Sequence, residues 1–176
     1  SGTNNVTIGG DNSIKNAAAI SLTDESNANT SMLDASLSLL VGTNINNSIA
    51  DIDTDTNVTL GGKFNANDIT VKQTVNRNSS NTAESKGGGL AKVEIYKLQT
   101  SSKGNSQVDI LADMTDDNYR NALTVNSIAT NNAQSILSSN TIALAAISQE
   151  TSSNTLSAKN KINLQNAKIK SKSNIN

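Results

Sequence analysis

The chain has 176 residues, with 14 basic and 15 acidic side chains, no His, Cys, Pro or Trp, and only Phe64, Tyr96 and Tyr119 as aromatic residues. Those absences exclude Ser-His-Asp and Cys-His nucleophilic centres, zinc sites built on Cys or His, and histidine acid-base pairs, and they leave too few rings for a bulky globular core. Because 28 Asn, 24 Ser and 18 Thr make up about two-fifths of the residues, any core must be thin and aliphatic.

Taken in chain order, short apolar alternations recur: Val6 and Ile8, Ile20 and Leu22, Leu37 and Leu39, Val58 and Leu60, Ile69 and Val71, Val93 and Ile95. They continue with Val108, Ile110 and Ala112, then Leu123 and Val125, Ile142 and Leu144, and Ile162 and Leu164. Alternation with period two buries one face of a strand. Asn, Asp, Gly and Ser bound nearly every piece, and these residues favour turns, so short strands separated by corners are expected. Helical readings of NAAAISL near Ala17 and of Gln134 to Ser148 are disfavoured, because β-branched residues, Ser and Asn fill them without a charged face.

Pieces begin at Ile20, Leu37 and Val58, and again at Leu123, Ile142 and Ile162, with steps of about 20 residues. That spacing predicts an all-β fold, a right-handed parallel β-helix with coils of about 20 residues, running as one solenoid over 1–176. In such a stack Asn and Ser at corners or on the outside bond their counterparts one coil away. The middle, 72–90, obeys the period less well, and Asn76 to Gly89 reads as a corner loop offering contact surface. Balanced charge and regularly placed aliphatics argue against disorder. No apolar run approaches the roughly 18 residues of a membrane span, so no membrane insertion by this segment is expected. No signal peptide is visible; for a secreted protein it would lie outside this stretch.

The acidic residues carry the remaining chemistry. In DIDTDTN, Asp51, Asp53 and Asp55 alternate, so on a strand all three project from one face, as a calcium site or a glycosidase pair requires. A calcium loop would want Gly where Thr56 stands and Glu where Gly62 stands, so a solvated strand face is the competing reading. Asp113, Asp116 and Asp117 in ADMTDDN read as turn chemistry. Gly87 to Gly89 lack the lysine and helix start of a phosphate loop, and the IGGDN and LGGK pieces lack the repeated glycine nonapeptide of calcium-binding β-rolls, so both read as turns. Lys159, Lys161, Lys168, Lys170 and Lys172 form a basic stripe. Such a stripe can meet nucleic acid or anionic glycans, but no aromatic is interleaved for base stacking, so a lysine-protected outer strand face is the favoured reading and no nucleic-acid partner is expected. Asn5, Asn29, Asn46, Asn57 and Asn78 match the N-glycosylation pattern as chance allows in so Asn-rich a chain.

The run ITVKQTVNRNSSNTAESKGGGLAKV from Ile69 to Val93, with NTIALAAIS and LSAKNKINLQNAKIKSKS later, resembles the repeats of filamentous-haemagglutinin-like exoproteins, and among them the leukotoxin-type large adhesins of anaerobic Gram-negative bacteria. The resemblance implies a structural and binding segment of a large secreted or surface-anchored bacterial adhesin or exotoxin that mediates host-cell attachment. It implies an extracellular or cell-surface location, an outer-membrane secretion partner, and a host cell-surface protein or glycan as receptor. It supplies no catalytic residues. The expectation is a monomeric segment that is not an enzyme and needs no cofactor, calcium at Asp51, Asp53 and Asp55 apart. The alternatives are a trimeric fibre segment of a phage tail or trimeric autotransporter, and a carbohydrate-active β-helix using the same three aspartates.

Overall fold

The computed structural model describes residues 2–37 and 40–170, with only the backbone described for 12–15 and 34–37. Leu39 and Lys172 therefore lie outside the described residues. Among the described residues seven strands follow one another: β1 (Gly2–Ile8), β2 (Asp11–Leu37), β3 (Val41–Leu60), β4 (Lys63–Ile110), β5 (Asp113–Met114), β6 (Ala122–Asn163) and β7 (Lys168–Ile169). The protein is all-β, and every strand pairing among the described residues is parallel: β1 with β3, β2 and β3 with β4, β4 with β5 and β6, and β5 with β7.

Paired residues lie much further apart in sequence than the expected step of about 20. Asn5 pairs with Asn57, 52 residues on, and Gln73 with Ser127, 54 residues on. The step of about 20 arises because each row of the stack contains several apolar pieces, which lie along one row and not above one another. Val58 sits between Val6 and Val108, and Val108 below Ile162, so equivalent aliphatics do form ladders at the longer spacing.

Each row doubles back on itself. Inward side chains of each half of β4 bond the backbone of the other: Asn81 Nδ2 donates to Gln99 O at 3.2 Å, and Ser102 Oγ to Arg77 O at 3.2 Å. Gly87 to Gly89, expected to be a turn, instead belong to β4 and pair with Thr141, Ile142 and Ala143 of β6, close to the point where the Ser85–Glu94 and Asn81–Gln99 bonds bring the two halves of β4 together. At the opposite corner Gly61 N donates to Ile8 O at 2.8 Å and Asp113 N to Gly62 O at 2.7 Å. Gly10 and Gly62 adopt φ of 86° and 73°, and a Cβ on Gly62 would stand 2.1 Å from Gly10 O. Stacked corners this tight exclude any side chain at Gly62.

The core between the facing halves is aliphatic at one end and polar at the other. Val58, Leu60, Phe64, Ile69, Val71, Val108, Ile110, Met114 and Leu123 pack together near the glycine corner. Beyond Val71 the same inward phase presents Gln73, Arg77, Ser79, Asn81 and Ser85, all buried. In the 72–90 stretch, expected to be less regular with a loop from Asn76 to Gly89, the segment 72–88 is paired on both edges without interruption. Its alternation is hidden because polar side chains occupy the inward positions. Asn and Ser also bond across rows on the outside, as expected, with Asn57 Nδ2 donating to Asn5 Oδ1 at 3.0 Å and Asn78 Nδ2 to Asn27 Oδ1 at 3.3 Å.

Two apolar pairs face the other way from what alternation alone implies. Val93 and Ile95 point outward, because the inward phase set by Val108 and Ile110 runs back without a bulge through Leu98 and Tyr96 to Glu94 and Lys92. Ile142 and Leu144, near the reversal of β6, are 81% and 86% exposed.

Candidate functional site

Asp51, Asp53 and Asp55 do project from one outward face of β3, between the inward residues Ala50, Ile52 and Thr56. Along a strand such neighbours stand roughly 7 Å apart, whereas calcium draws its oxygens into a shell of about 2.3–2.6 Å. Among the described residues no group of three acidic side chains could hold a metal ion. Asp51 pairs with Ser101 and Asp53 with Lys103 in the ladder.

Asp55 has a different setting. The β3–β4 ladder runs to Asp53 and Lys103, skips Thr54 and Asp55, and resumes at Thr56 and Ser106. The gap faces Gly104, whose φ is 142°. A Cβ there would lie 1.9 Å from Thr54 O and 2.8 Å from Arg77 Nε, so only glycine fits. From inside, Arg77 fills the gap: Nε donates to Thr54 O at 2.9 Å, Nη2 to Asn105 O at 3.0 Å and to Ser106 Oγ at 3.4 Å, and Nη1 to Asn131 Oδ1 at 3.3 Å. From outside, Asp55 Oδ1 accepts the Asn105 backbone N–H at 2.7 Å. Arg77 replaces the missing ladder bonds and Asp55 holds the displaced strand.

Arg77 is fully buried, and the four groups it bonds are all uncharged. Burial lowers its pKa, against the raising influence of the Asp24, Asp55 and Asp53 charges nearby. An arginine remains protonated even so, and the segment carries an interior cation.

Outside this gap lies an open cleft of about 560 Å³, within the range of roughly 300–1,000 Å³ typical of small-ligand sites. Asp55, Asn57, Asn105, Gln107, Lys159 and Lys161 line it. Parallel register assembles them: Asn57 stands beside Gln107, Gln107 beside Lys161, and Asn105 beside Lys159. Three successive rows contribute, with strands about 4.8 Å apart, and Asn5 of β1 continues the stack past Asn57. The lining is polar side chain throughout, with two ammonium groups and one carboxylate.

The other expected groups stay apart from the cleft. Asp116 Oδ1 accepts the Asn118 N–H at 2.9 Å, and Thr115 Oγ1 donates to Asp113 Oδ1 at 2.6 Å, the turn chemistry expected of that cluster. Asp117 is ion-paired with Lys170. Of the described lysines of the basic stripe, Lys159 and Lys161 line the cleft. Arg77 and Gly104, which shape its floor, stand out in the sequence only as an arginine in a polar run and a lone glycine between Lys103 and Asn105.

A second buried charged group joins rows elsewhere. Lys92 is ion-paired with Glu94, which also accepts from Ser85 Oγ at 2.5 Å and from Thr141 Oγ1 of the next row at 3.2 Å. Burial pushes the Glu94 carboxyl up, but the bonds from Lys92, Ser85 and Thr141 and the Lys92 charge outweigh it, so its pKa lies below the ordinary value.

No protein-family model matches the chain, nor does any curated protein or solved structure.

Proposed function

We propose that this chain is a segment of a right-handed parallel β-helix from a large secreted or surface-anchored bacterial adhesin or exotoxin, exported with an outer-membrane partner and contacting a host cell-surface protein or glycan. The observation that carries the reading is the parallel register of rows 50 to 54 residues apart, with inward positions repeating from row to row. Such rows give stiffness and length, and their outward faces offer a surface whose residues come from distant parts of the sequence. In this role the segment has no catalytic duty, and Asp51, Asp53 and Asp55 serve its outer face. The test is attachment of the labelled, folded chain to host epithelial cells. Saturable attachment competed by unlabelled chain supports the reading, and attachment no greater than that of an unrelated β-rich domain overturns it.

One observation favours the trimeric-fibre alternative. Val41, Ile45, Ile49 and Ile147 expose more than half of their surface on the same outward side, with Ile142 and Leu144 at the nearby reversal. Exposed aliphatics in such number are what association between chains would cover. Light scattering separates the two readings: a monomeric mass favours the adhesin segment, and a threefold mass the fibre.

A further inference from the structure

We propose that the cleft over Asn105 is a binding site for a carboxylated saccharide, a sugar residue of the sialate or uronate kind. The proposal deepens the reading of the chain as a surface binding segment and rests on it. Three observations converge there.

The first is charge. Lys159 and Lys161 alternate on β6 and both line the cleft, with ammonium stems rooted roughly 7 Å apart along the strand. Arg77 lies buried behind the floor, where the Asp24 and Asp53 charges act on it together with Asp55, so the positive surplus of the cleft rests on the two lysines of its lining. Asp55 is the single carboxylate of the lining. Cations outnumber it, and a low-dielectric wall focuses their field outward. The occupant is therefore an anion, and the Asp55 charge selects against multiply charged ones such as phosphate monoesters.

The second is hydrogen-bonding character. Asn57, Asn105 and Gln107 carry amides that donate and accept, and Asp55, tied through Oδ1 to Asn105 N, keeps Oδ2 as an acceptor. Such groups match the vicinal hydroxyls of a sugar ring. No aliphatic or aromatic side chain lines the cleft, which disfavours an apolar ligand or a stacked base.

The third is construction. The cleft lies where the ladder is interrupted, and the interruption is held by a glycine at φ 142° and by a buried arginine. A continuous ladder at this point would need neither. Local strain kept in place by dedicated residues marks functional positions. The site spans three rows, with its two lysines on β6, which pairs only with β4 among the described residues and so forms the edge row there.

The test uses the whole chain, titrated with 3′-sialyllactose, with a glucuronyl-β-1,3-N-acetylglucosamine disaccharide, and with neutral lactose. Side-chain amide resonances of Asn105 and Gln107 report occupancy by NMR. At least one acidic sugar should bind ten or more times as tightly as lactose, and the affinity should fall with added salt. The K159Q/K161Q variant should lose at least tenfold in that affinity while its circular dichroism and melting stay unchanged, because both lysines are solvent-facing. Binding by sialyllactose alone assigns a sialate, and by the glucuronyl sugar alone a uronate. Equal binding of lactose, or equal affinity in the variant, overturns the proposal. A folded chain that attaches to cells but binds neither acidic sugar overturns the cleft alone, whereas loss of attachment as well overturns the adhesin reading with it.

Discussion

At the scale of single residues, the ladder gap ties three side chains to one another, and each makes a separate prediction. Arg77→Met removes the donors to Thr54 O and Asn105 O, and a buried acceptor left without a partner costs about 1–3 kcal/mol. The urea midpoint should fall accordingly, and Arg77→Lys should recover only part of the loss, since one ammonium cannot span the same fork. Gly104→Ala places a methyl group against Thr54 O in a backbone region costly for other residues, with a loss of about 1–3 kcal/mol measured the same way. Glu94 predicts a pH dependence. Its folded pKa lies below its ordinary 4.5, so the unfolded chain takes up the proton first. The stability it contributes is fully present above that value and is lost as pH falls through the lower folded value. A denaturation series from pH 6 to pH 3 should show this loss in the native chain, and Glu94→Gln should be less stable at pH 6, where it leaves Lys92 without a counter-charge, with a flatter curve that converges on the native one as the pH falls.

At the scale of elements, position in the stack decides what an aliphatic side chain is worth. Leu60 is fully buried between Ile8 and Ile110, and Leu144 projects to solvent. Leu60→Ala should cost about 2–5 kcal/mol and Leu144→Ser should stay within about 0.5 kcal/mol, compared by thermal melts of the two variants. Strand existence was legible in the alternating pieces, and so was the corner at Gly10 and Gly62. The row length was not read from those pieces, although NVTIGG from Asn5 and NVTLGG from Asn57 repeat it openly and are paired residue for residue. The outward phase of Val93 and Ile95 was illegible for a physical reason. Lys92 and Glu94 neutralise each other inside, and a pattern search scores such a pair as surface. The same masking hid the order of the 72–90 stretch, where buried Gln73, Arg77 and Asn81 bond backbone carbonyls of β3 and of the second half of β4, and only Val75 and Ala83 mark the inward phase with apolar side chains.

At the scale of the whole molecule, the candidate site was legible only in fragments. Asp55 and the lysines each stood out, but nothing in their local sequence joins residues of β3 to residues of β6; the parallel register does. The same register separates Asp51 and Asp53 from the cleft. Adding millimolar calcium should therefore leave the melting temperature within about 1 °C, since a ligand bound at a hundred times its Kd would add about 2.7 kcal/mol and be plain to see; replacing all three aspartates with Asn should not change that response. The long spacing between paired residues also governs how the fold is reached. No residue of β1 or β2 meets its ladder partner until some fifty more have been made available. Closing loops of that size precedes any reward from pairing, so refolding from urea is expected on the slow side, in the millisecond-to-second range or beyond. A chain threaded outward from one end would then remain extended while its first row emerges and begin to order only when the second arrives, each finished row serving as the template for the next.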